Sequence, residues 1–386
     1  MTLADVAIGC FSLLFAGWVM YPSLMWLAAR VRPMATPDGP DDARVHVVIA
    51  TRDAPALVAQ RVANVLASTY PPALLSVVVA VDVTTRFTLA EYTTALRESA
   101  RVTCGDAPGG KAATLNAGMR AAQSADVVVF ADVGQSFERD TIRRLVGYLN
   151  DSRFGAVTGR YVPTRSGTLM TAYARFEAMI RAGQSVRSVV STSGSIYAIQ
   201  RSLWRPLPCG LICDDLFTTM SVVRQGKRVG FCRDAVALDA RRFTQDQQFA
   251  RRARTLTGLV QFCSLDPSVL LPWKNPIWIH FVLHKILRLL TPVLLMTGSV
   301  ALFALAARQH GAALVGVLAG TGVTGVTMWA IVPTWYARTI RPATWALRLQ
   351  LVPAVALLNG IRRRWTWQPE TAAIGMTAAR SGEGTY

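Results

Sequence analysis

The sequence predicts an α/β domain built on a parallel sheet, with apolar helical segments before and after it. Between residues 43 and 262, short β-branched runs alternate with helix-compatible stretches. Alternation at this spacing favours a parallel sheet that helices cover on both faces. Outside this region, apolar runs are long enough to cross a bilayer. The chain is therefore predicted to be a cytosolic α/β domain between membrane segments.

Three acids follow the predicted strands. The strands are predicted at 45–50, 76–81 and 127–131, with helices at 54–68, 89–100 and 111–122. Asp53, Asp82 and Asp132 lie at or just past the ends of these strands. Ligands of parallel sheets bind beyond the carboxyl ends of the strands, although a single acid in such a loop is more often a turn residue. Together the three acids predict a polar site at this edge.

The composition narrows the functional classes. The 386 residues are 52% hydrophobic and carry a formal net charge of +18. A basic, apolar chain suits an anionic membrane surface or an anionic substrate. A nucleic-acid partner is not expected, because the Arg residues cluster at predicted membrane junctions and not on one soluble face. The six Cys residues form no CxxC pair, so we expect reduced thiols in place of a zinc or disulfide framework.

The N-terminal segment 1–32 is predicted to be a transmembrane helix. Residues 5–29 are mostly apolar, with no positively charged region before them and no convincing A-x-A cleavage site, so a cleaved signal peptide is not expected. Arg30 and Arg32 follow directly, so the positive-inside rule places the N-terminus outside and the next segment in the cytoplasm. We therefore expect an integral protein of the plasma (inner) membrane with a cytoplasmic 43–262 domain.

The C-terminal part is predicted to return to the membrane. Residues 263–276 are rich in proline and are predicted to lie at the interface, and residues 277–335 to hold two transmembrane helices, at 277–307 and 312–333. Residues 336–365 have basic residues at both ends, which predicts an interfacial or re-entrant helix, with a fourth span as the alternative. The tail at 366–386 is predicted to be weakly ordered.

Two short motifs could carry chemistry. Gly109, Gly110 and Lys111 precede a predicted helix; a cation at a helix N-terminus suits an anionic ligand, but a simple strand–helix turn fits equally well. Asp214 and Asp215 begin another helical stretch. They could cap that helix, or one of them could act as a general base.

A basic stretch precedes the C-terminal membrane segments. Residues 241–258 hold several Arg residues, in the sequence RRFTQDQQFARRARTLTG. A solvated or lipid-facing basic surface is one interpretation. A clamp for a diphosphate is the other, because the guanidinium group binds phosphate with two parallel hydrogen bonds.

The order of these segments resembles the inverting family 2 glycosyltransferases, which have a GT-A fold with a mixed, mostly parallel sheet. Within that family the chain resembles the membrane-embedded branch of hyaluronan, cellulose and poly-N-acetylglucosamine synthases, over about residues 12–370. The matching segments are VVIATRDAP, VAVDVTT, GGKAATLNAGM, FADVGQSF, SGSIYAIQR and CDDLFTTMSVVRQGKRVGF. The resemblance implies that Asp82 contacts the nucleotide, that Lys111 and Asn116 belong to the donor site, that Asp132 binds a metal and that Asp215 is the base, with SGSIYAIQR as the acceptor-side loop.

The chain departs from the family in its Gln-x-x-Arg-Trp motif. If the glycine that often follows the motif is Gly258, the motif begins at Arg251 and keeps its arginine as Arg254. If it begins at Gln248, it keeps Gln and Arg but loses the glycine spacing. In both registers the Trp is missing, which puts the usual stacking contact with the acceptor in doubt.

The second departure is at the metal position. The family's Asp-x-Asp is here Asp132, Val133 and Gly134, so the second acid is absent. With one carboxylate, the metal should depend on Asp132, the diphosphate and water, and bind weakly without the donor.

The resemblance implies an inverting transfer from a nucleotide-diphosphate sugar, with a UDP-sugar expected. Asp53 and Asp82 would contact uridine, and Asp132 would hold Mg²⁺ or Mn²⁺. Arg254, with Arg251 nearby, would stabilise the leaving diphosphate. Asp215, the partner of Asp214, would deprotonate an acceptor hydroxyl.

The acceptor stays open between two classes of reaction. The family implies processive extension of a growing glycan with secretion, and the short membrane part then calls for a homo-oligomer or an export partner subunit. The first alternative is transfer of one sugar to a lipid phosphate or lipid-linked acceptor. The second is a catalytically inactive membrane scaffold.

Overall fold

The centre of the molecule is an eight-stranded sheet. The computed structural model describes residues 2–32, 39–164, 168–331, 334, 344 and 347–365. The strands are β1 (Val45–Thr51), β2 (Leu75–Val81), β3 (Arg101–Cys104), β4 (Val127–Ala131), β5 (Ser136–Phe137), β6 (Phe154–Pro163), β7 (Ile196–Gln200) and β8 (Arg228–Asp239). Their order is β3-β2-β1-β4-β7-β6-β8-β5.

The sheet is mixed and mostly parallel. β1 pairs with β2 and β4, β2 with β3, and β6 with β8, all in parallel. β7 lies antiparallel between β4 and β6, and β5 pairs antiparallel with β8. The predicted α/β fold with a mixed, mostly parallel sheet is therefore confirmed. The first three predicted strands agree with β1, β2 and β4 to within about one residue.

Helices cover both faces of the sheet. Those of the domain are α3 (Pro55–Leu66), α4 (Leu89–Leu96), α5 (Lys111–Ala121), α6 (Thr141–Leu149), α7 (Thr168–Gln184), α8 (Asp214–Arg224) and α9 (Gln245–Leu265). Successive strand side chains point to opposite faces, so Val48 and Val128 belong to one core and Val47 and Val129 to the other. Burial on both faces explains why the strands are continuous apolar runs.

Two helices are long and apolar enough to cross a membrane among the residues that the structure describes, Leu3–Val31 and Thr291–Gly311. The first consists of α1 (Leu3–Phe15), a π-helical turn at Ala16–Met20 and α2 (Tyr21–Val31). The second begins α12 (Thr291–Ile331), which has a non-helical residue at His310. The two helices pack together, and Trp18 Nε1 donates to Thr291 Oγ1 at 2.8 Å.

The segment before α12 is helical from Trp278 to Leu289. It contains α10 (Trp278–Phe281), a π-helical turn at Val282–Ile286 and α11 (Leu287–Leu289). The helix that is long and apolar enough to cross a membrane begins at Thr291, and the predicted spans at 277–307 and 312–333 stay predictions. A last helix, α13 (Leu351–Ile361), lies within the predicted 336–365 segment and packs on α9. The predicted tail at 366–386 lies outside the described residues.

The side chains that turn inward form what we call the junction cluster, consisting of Glu177, Gln184, His284, Arg288 and Tyr21. Glu177 on α7 pairs with His284 Nε2 at 3.2 Å and with Arg288 Nη1 at 2.5 Å. Gln184 Nε2 donates to the Tyr21 hydroxyl at 2.7 Å. This cluster ties the N-terminal helix and the segment before α12 to the domain.

Candidate active site

The carboxyl ends of β1, β2 and β4 open into a cavity of about 200 Å³. The three acids predicted from the strand ends, Asp53, Asp82 and Asp132, all line it. Five cationic side chains also line it: Arg52, Lys111, Arg241, Arg251 and Arg254. Cations outnumber carboxylates here, so the cavity favours an anionic ligand.

Asp82 organises the turn before α5. Its side chain accepts hydrogen bonds from the Thr84 backbone and hydroxyl, both at 2.9 Å, and from the Gly110 backbone at 2.9 Å. Gly109 and Gly110 both have a φ of +93°, a conformation that glycine adopts without strain. Asp82 is only 2% exposed. Its hydrogen bond to the Gly110 backbone holds the turn in which both glycines have a positive φ. The contact of Asp82 with a nucleotide stays a prediction.

Lys111, the first residue of α5, joins two carboxylates. Its Nζ lies 3.2 Å from Asp132 Oδ1 and 3.6 Å from Asp214 Oδ1. Burial alone would lower the pKa of this ammonium group, but the charges of Asp132 and Asp214 outweigh burial and raise it. Lys111 therefore stays charged and brings the metal-position acid and the acid pair into one site.

The two acids at the start of α8 have different environments. The Asp214 side chain is 6% exposed, and its Oδ2 is buried without a hydrogen-bond partner. Burial raises the pKa of Asp214 to about 6; the charge of Lys111 lowers it, and that of Asp215 raises it. Asp215 is more accessible, and its Oδ1 accepts from the Leu216 backbone at 2.8 Å. Accessibility makes Asp215 the better candidate to meet a substrate hydroxyl.

The loop before β7 closes over this acid pair. At Gly194 an added Cβ would lie 3.4 Å from Lys111 Nζ and 4.0 Å from Asp214 Oδ2. The Ser193 hydroxyl lies 3.1 Å from that of Ser195. The segment that resembles the acceptor-side loop therefore lies against the charged residues.

Helix α9 presents Arg251 and Arg254 to the cavity, one turn apart. Its Gly258 packs so closely on Ile212 and Cys213 that any Cβ there would overlap them. Among the described residues, Arg254 has no hydrogen bond or ion pair. The tight contact at Gly258 thus holds an unpaired guanidinium group at the cavity.

Asn116 does not line the cavity. Its side-chain Nδ2 donates to the Leu207 carbonyl and its Oδ1 accepts from the Leu207 backbone, both at 2.9 Å. Both polar groups of Asn116 are thus used in connecting α5 to the loop that contains Leu207, which we call the 207 loop. Its place in the donor site, implied by the family motif, stays a prediction.

Asp132 is the sole acid of the shortened metal motif. Within the described part of the chain, no group of three or more His, Cys, Asp and Glu side chains is arranged to hold a metal ion. A divalent cation at Asp132 would need its remaining ligands from a donor molecule or water. The residues present therefore fit a metal whose other ligands come from the donor or from water.

Arg241 is a cavity residue that the motifs did not single out. It lies just after β8, in the basic stretch 241–258, and its guanidinium group pairs with Asp239. The sequence signalled a basic cluster here, but only the course of β8 brings this member of it opposite Gly134.

Comparisons with known proteins show the family of this chain. The family model described as "Glycosyltransferase like family 2" matches residues 41–258, more than half of the chain. The O-antigen chain rhamnosyltransferase RfbN of Salmonella typhimurium is 24% identical over 165 residues, which are 39% of this chain and 52% of that protein. The chain thus spans about half the length of this curated relative.

A solved structure shares the fold. The mannosyltransferase PcManGT of Pyrobaculum calidifontis, in complex with GDP-Man and Mn²⁺, is 22% identical with a TM-score of 0.69, and the match covers 94% of this chain and 99% of that one. A glucosyl-3-phosphoglycerate synthase from Mycobacterium tuberculosis is 16% identical with a TM-score of 0.43, over 62% and 82% of the two chains. The family match, which covers all the residues that line the cavity, shows that this chain belongs to the glycosyltransferase family 2.

Proposed function

We propose that the chain is a membrane-bound, inverting glycosyltransferase in which Asp215 is the general base. The observation that carries this proposal is the difference in environment between the two acids. Asp214 is buried and paired with Lys111, whereas Asp215 remains accessible. An accessible carboxylate at the site can accept the proton of an acceptor hydroxyl while that oxygen attacks the anomeric carbon. The bond to the nucleoside diphosphate breaks, and the configuration inverts.

The cationic side of the cavity supports binding of the donor diphosphate. Arg254 has no partner among the described residues, and Arg251 lies on the same face of α9. Fixed cations stabilise the negative charge that develops on the leaving group. Asp53 and Asp82, on the β1 and β2 side, are proposed to face the nucleoside.

A divalent metal, Mg²⁺ or Mn²⁺, is proposed to bind at Asp132 together with the donor. When bound it would supply further positive charge to the diphosphate. The mannosyltransferase with the similar fold was solved with GDP-Man and Mn²⁺, which supports this proposal. UDP-sugars remain the expected donors from the sequence resemblance, and GDP-sugars are the next class to test.

The membrane location is proposed from the exterior of the terminal helices. Large apolar side chains such as Ile8, Trp26, Met296 and Val300 are exposed on them. Exposed apolar surfaces on packed helices of this length suit lipid. Arg30 lies over the Trp26 ring at 4.1 Å, an arrangement typical of an interfacial anchor. We place the domain in the cytoplasm, at the plasma (inner) membrane.

For the acceptor, we propose extension of a glycan, with single transfer to a lipid phosphate or lipid-linked acceptor as the second candidate. Purified full-length protein should be screened against nucleotide sugars for release of nucleoside diphosphate. The length of the labelled product then separates the candidates: a single-residue glycolipid as sole product excludes polymer synthesis.

A further inference from the structure

The place of the missing second acid is filled by a cation. A Cβ built at Gly134 would overlap the Arg241 guanidinium group, with Nη1 and Cζ as the nearest atoms. No aspartate side chain could extend from position 134 unless Arg241 moved. The absence of the second acid and the presence of Arg241 are thus one structural feature.

Hydrogen bonds to Asp239 orient the Arg241 side chain. Its Nε and Nη2 donate to the two oxygens of Asp239 at 2.9 and 2.7 Å, and its backbone N–H donates to Asp239 Oδ1 at 3.0 Å. Asp239 also accepts from Gln135 Nε2 at 3.1 Å and from the Tyr161 hydroxyl at 2.9 Å. Because Asp239 is 1% exposed, this network orients the guanidinium group without the help of solvent.

One edge of the guanidinium group is left for a ligand. Within the described residues, Arg241 Nη1 makes no hydrogen bond, whereas Nε and Nη2 are both used. Arg241 lines the same cavity as Asp132 and Lys111, and its side chain is 24% exposed. Two N–H donors are therefore available at the place where the family's motif presents a carboxylate.

We propose that Arg241 replaces the second metal-binding acid by binding an oxygen of the donor diphosphate directly, so that donor binding keeps a component that needs no metal. This inference rests on the proposed function, because it takes a nucleoside diphosphate as the ligand. The exchange is chemically consistent: a carboxylate reaches the diphosphate through a cation, whereas a guanidinium group binds it without one.

The test is equilibrium binding of UDP and GDP to the purified full-length protein, with EDTA and with Mn²⁺. The wild-type protein should bind one of them in both conditions. Arg241→Ala should lose about 10-fold or more in affinity with EDTA, as expected for a charged hydrogen bond. The neighbouring Arg242→Ala is the matched control, because Arg242 is exposed and does not line the cavity; its affinity should not change.

Two further variants show whether a loss of nucleotide affinity in Arg241→Ala reflects only a folding defect. Arg241→Lys keeps a cation against Asp239 but lacks the second branch towards the cavity, so it should fold and still lose most of the metal-free affinity. Arg241→Ala combined with Gly134→Asp restores a two-acid motif. This double variant should regain diphosphate binding with Mn²⁺ and remain weak with EDTA.

The outcomes separate the two proposals. If the wild-type protein binds neither nucleotide even with Mn²⁺, the proposed function fails and this inference fails with it. If the wild-type protein binds a nucleoside diphosphate and both Arg241 variants bind it equally well with EDTA, this inference alone is overturned.

Discussion

The active-site cavity and the junction cluster both contain charged side chains. Those of the junction cluster are paired with each other, whereas those of the active site lie beside an open cavity. In the junction cluster, Glu177 is paired with His284 and Arg288, and the Arg288 guanidinium group lies over the rings of Trp18 and Phe176, at 4.8 and 5.3 Å. Protein groups therefore surround this carboxylate. Such a closed cluster acts on how the terminal helices are attached, because breaking a buried pair leaves a charge without compensation.

In the cavity the charges are left partly unbalanced. Arg254 lines the cavity and has no ion pair or hydrogen bond within the described part of the chain. Buried polar atoms without a hydrogen-bond partner occur in both places, as Asp214 Oδ2 beside the cavity and as Arg288 Nε and Nη2 in the junction cluster. An unpaired cation such as Arg254 costs folding free energy and is retained where a ligand or a reaction uses it. The difference teaches that burial of charge alone does not identify an active site; the open side of the cluster does.

The largest expected effect comes from removing the proposed base. Asp215→Asn should lower kcat by about 10²–10⁴-fold, because general base catalysis contributes on that order. Donor affinity should stay near the wild-type value, since Asp215 does not line the cavity. Initial rates of nucleoside diphosphate release measure this, with the exposed Asp234→Asn as the control. A variant as fast as the wild-type protein would show that Asp215 is not the general base.

The next effect breaks the junction cluster. Glu177→Ala leaves Arg288 buried without its carboxylate and should reduce the free energy of unfolding by about 3–5 kcal/mol. Thermal unfolding in detergent measures it, with the exposed Glu98→Ala as the control. Below its lowered Tm, the variant should still bind nucleoside diphosphate. If the folded variant no longer binds nucleoside diphosphate, the junction cluster also acts on the active site, and the prediction is wrong.

A smaller effect concerns pH and Asp214. Burial raises the pKa of Asp214 to about 6, whereas the unfolded chain ionises near the ordinary value of about 4. The unfolded state therefore loses its proton first as pH rises, and the wild-type protein loses stability between these two pKa values. Asp214→Asn lacks this loss.

We therefore expect the wild-type free energy of unfolding, relative to that of Asp214→Asn, to fall by about 1–3 kcal/mol between about pH 4.5 and pH 7.5. Paired unfolding curves over this range measure it. A difference that is flat with pH would mean that Asp214 is ionised in the folded protein throughout, and that its charge is as well balanced as that of Glu177.

The smallest effect sharpens the account of the metal. Because Asp132 is the one carboxylate of the motif, Mn²⁺ should bind at least about 10-fold more tightly when a nucleoside diphosphate is present. Calorimetric titration of Mn²⁺ with and without UDP or GDP checks this coupling. Tight binding of Mn²⁺ to the donor-free protein would show that further protein ligands exist.

Much of the fold followed from the sequence because its signals are local. The apolar runs of β1, β2 and β4 and the periodic stretches between them specify strands and helices through burial on both faces. The strand-end positions of Asp53, Asp82 and Asp132 then follow from the general geometry of such sheets. The π-helical turn at Val282–Ile286 was not predicted, nor was the pairing of His284 and Arg288 with Glu177, which is more than 100 residues away.

The sequence by itself determined the fold class, the strand-end acids and the family order of Lys111, Asp132 and the Asp214–Asp215 pair, because each depends on residue type and local spacing. Only the tertiary structure decided which acid of the pair is buried, that Asn116 binds the 207 loop, and that Arg241 fills the space beside Gly134. The physical reason is that these outcomes depend on contacts between strand ends and helices distant in sequence. The stretch VVVFADVGQSF shows a missing acid, and only the end of β8 shows which group has taken its place.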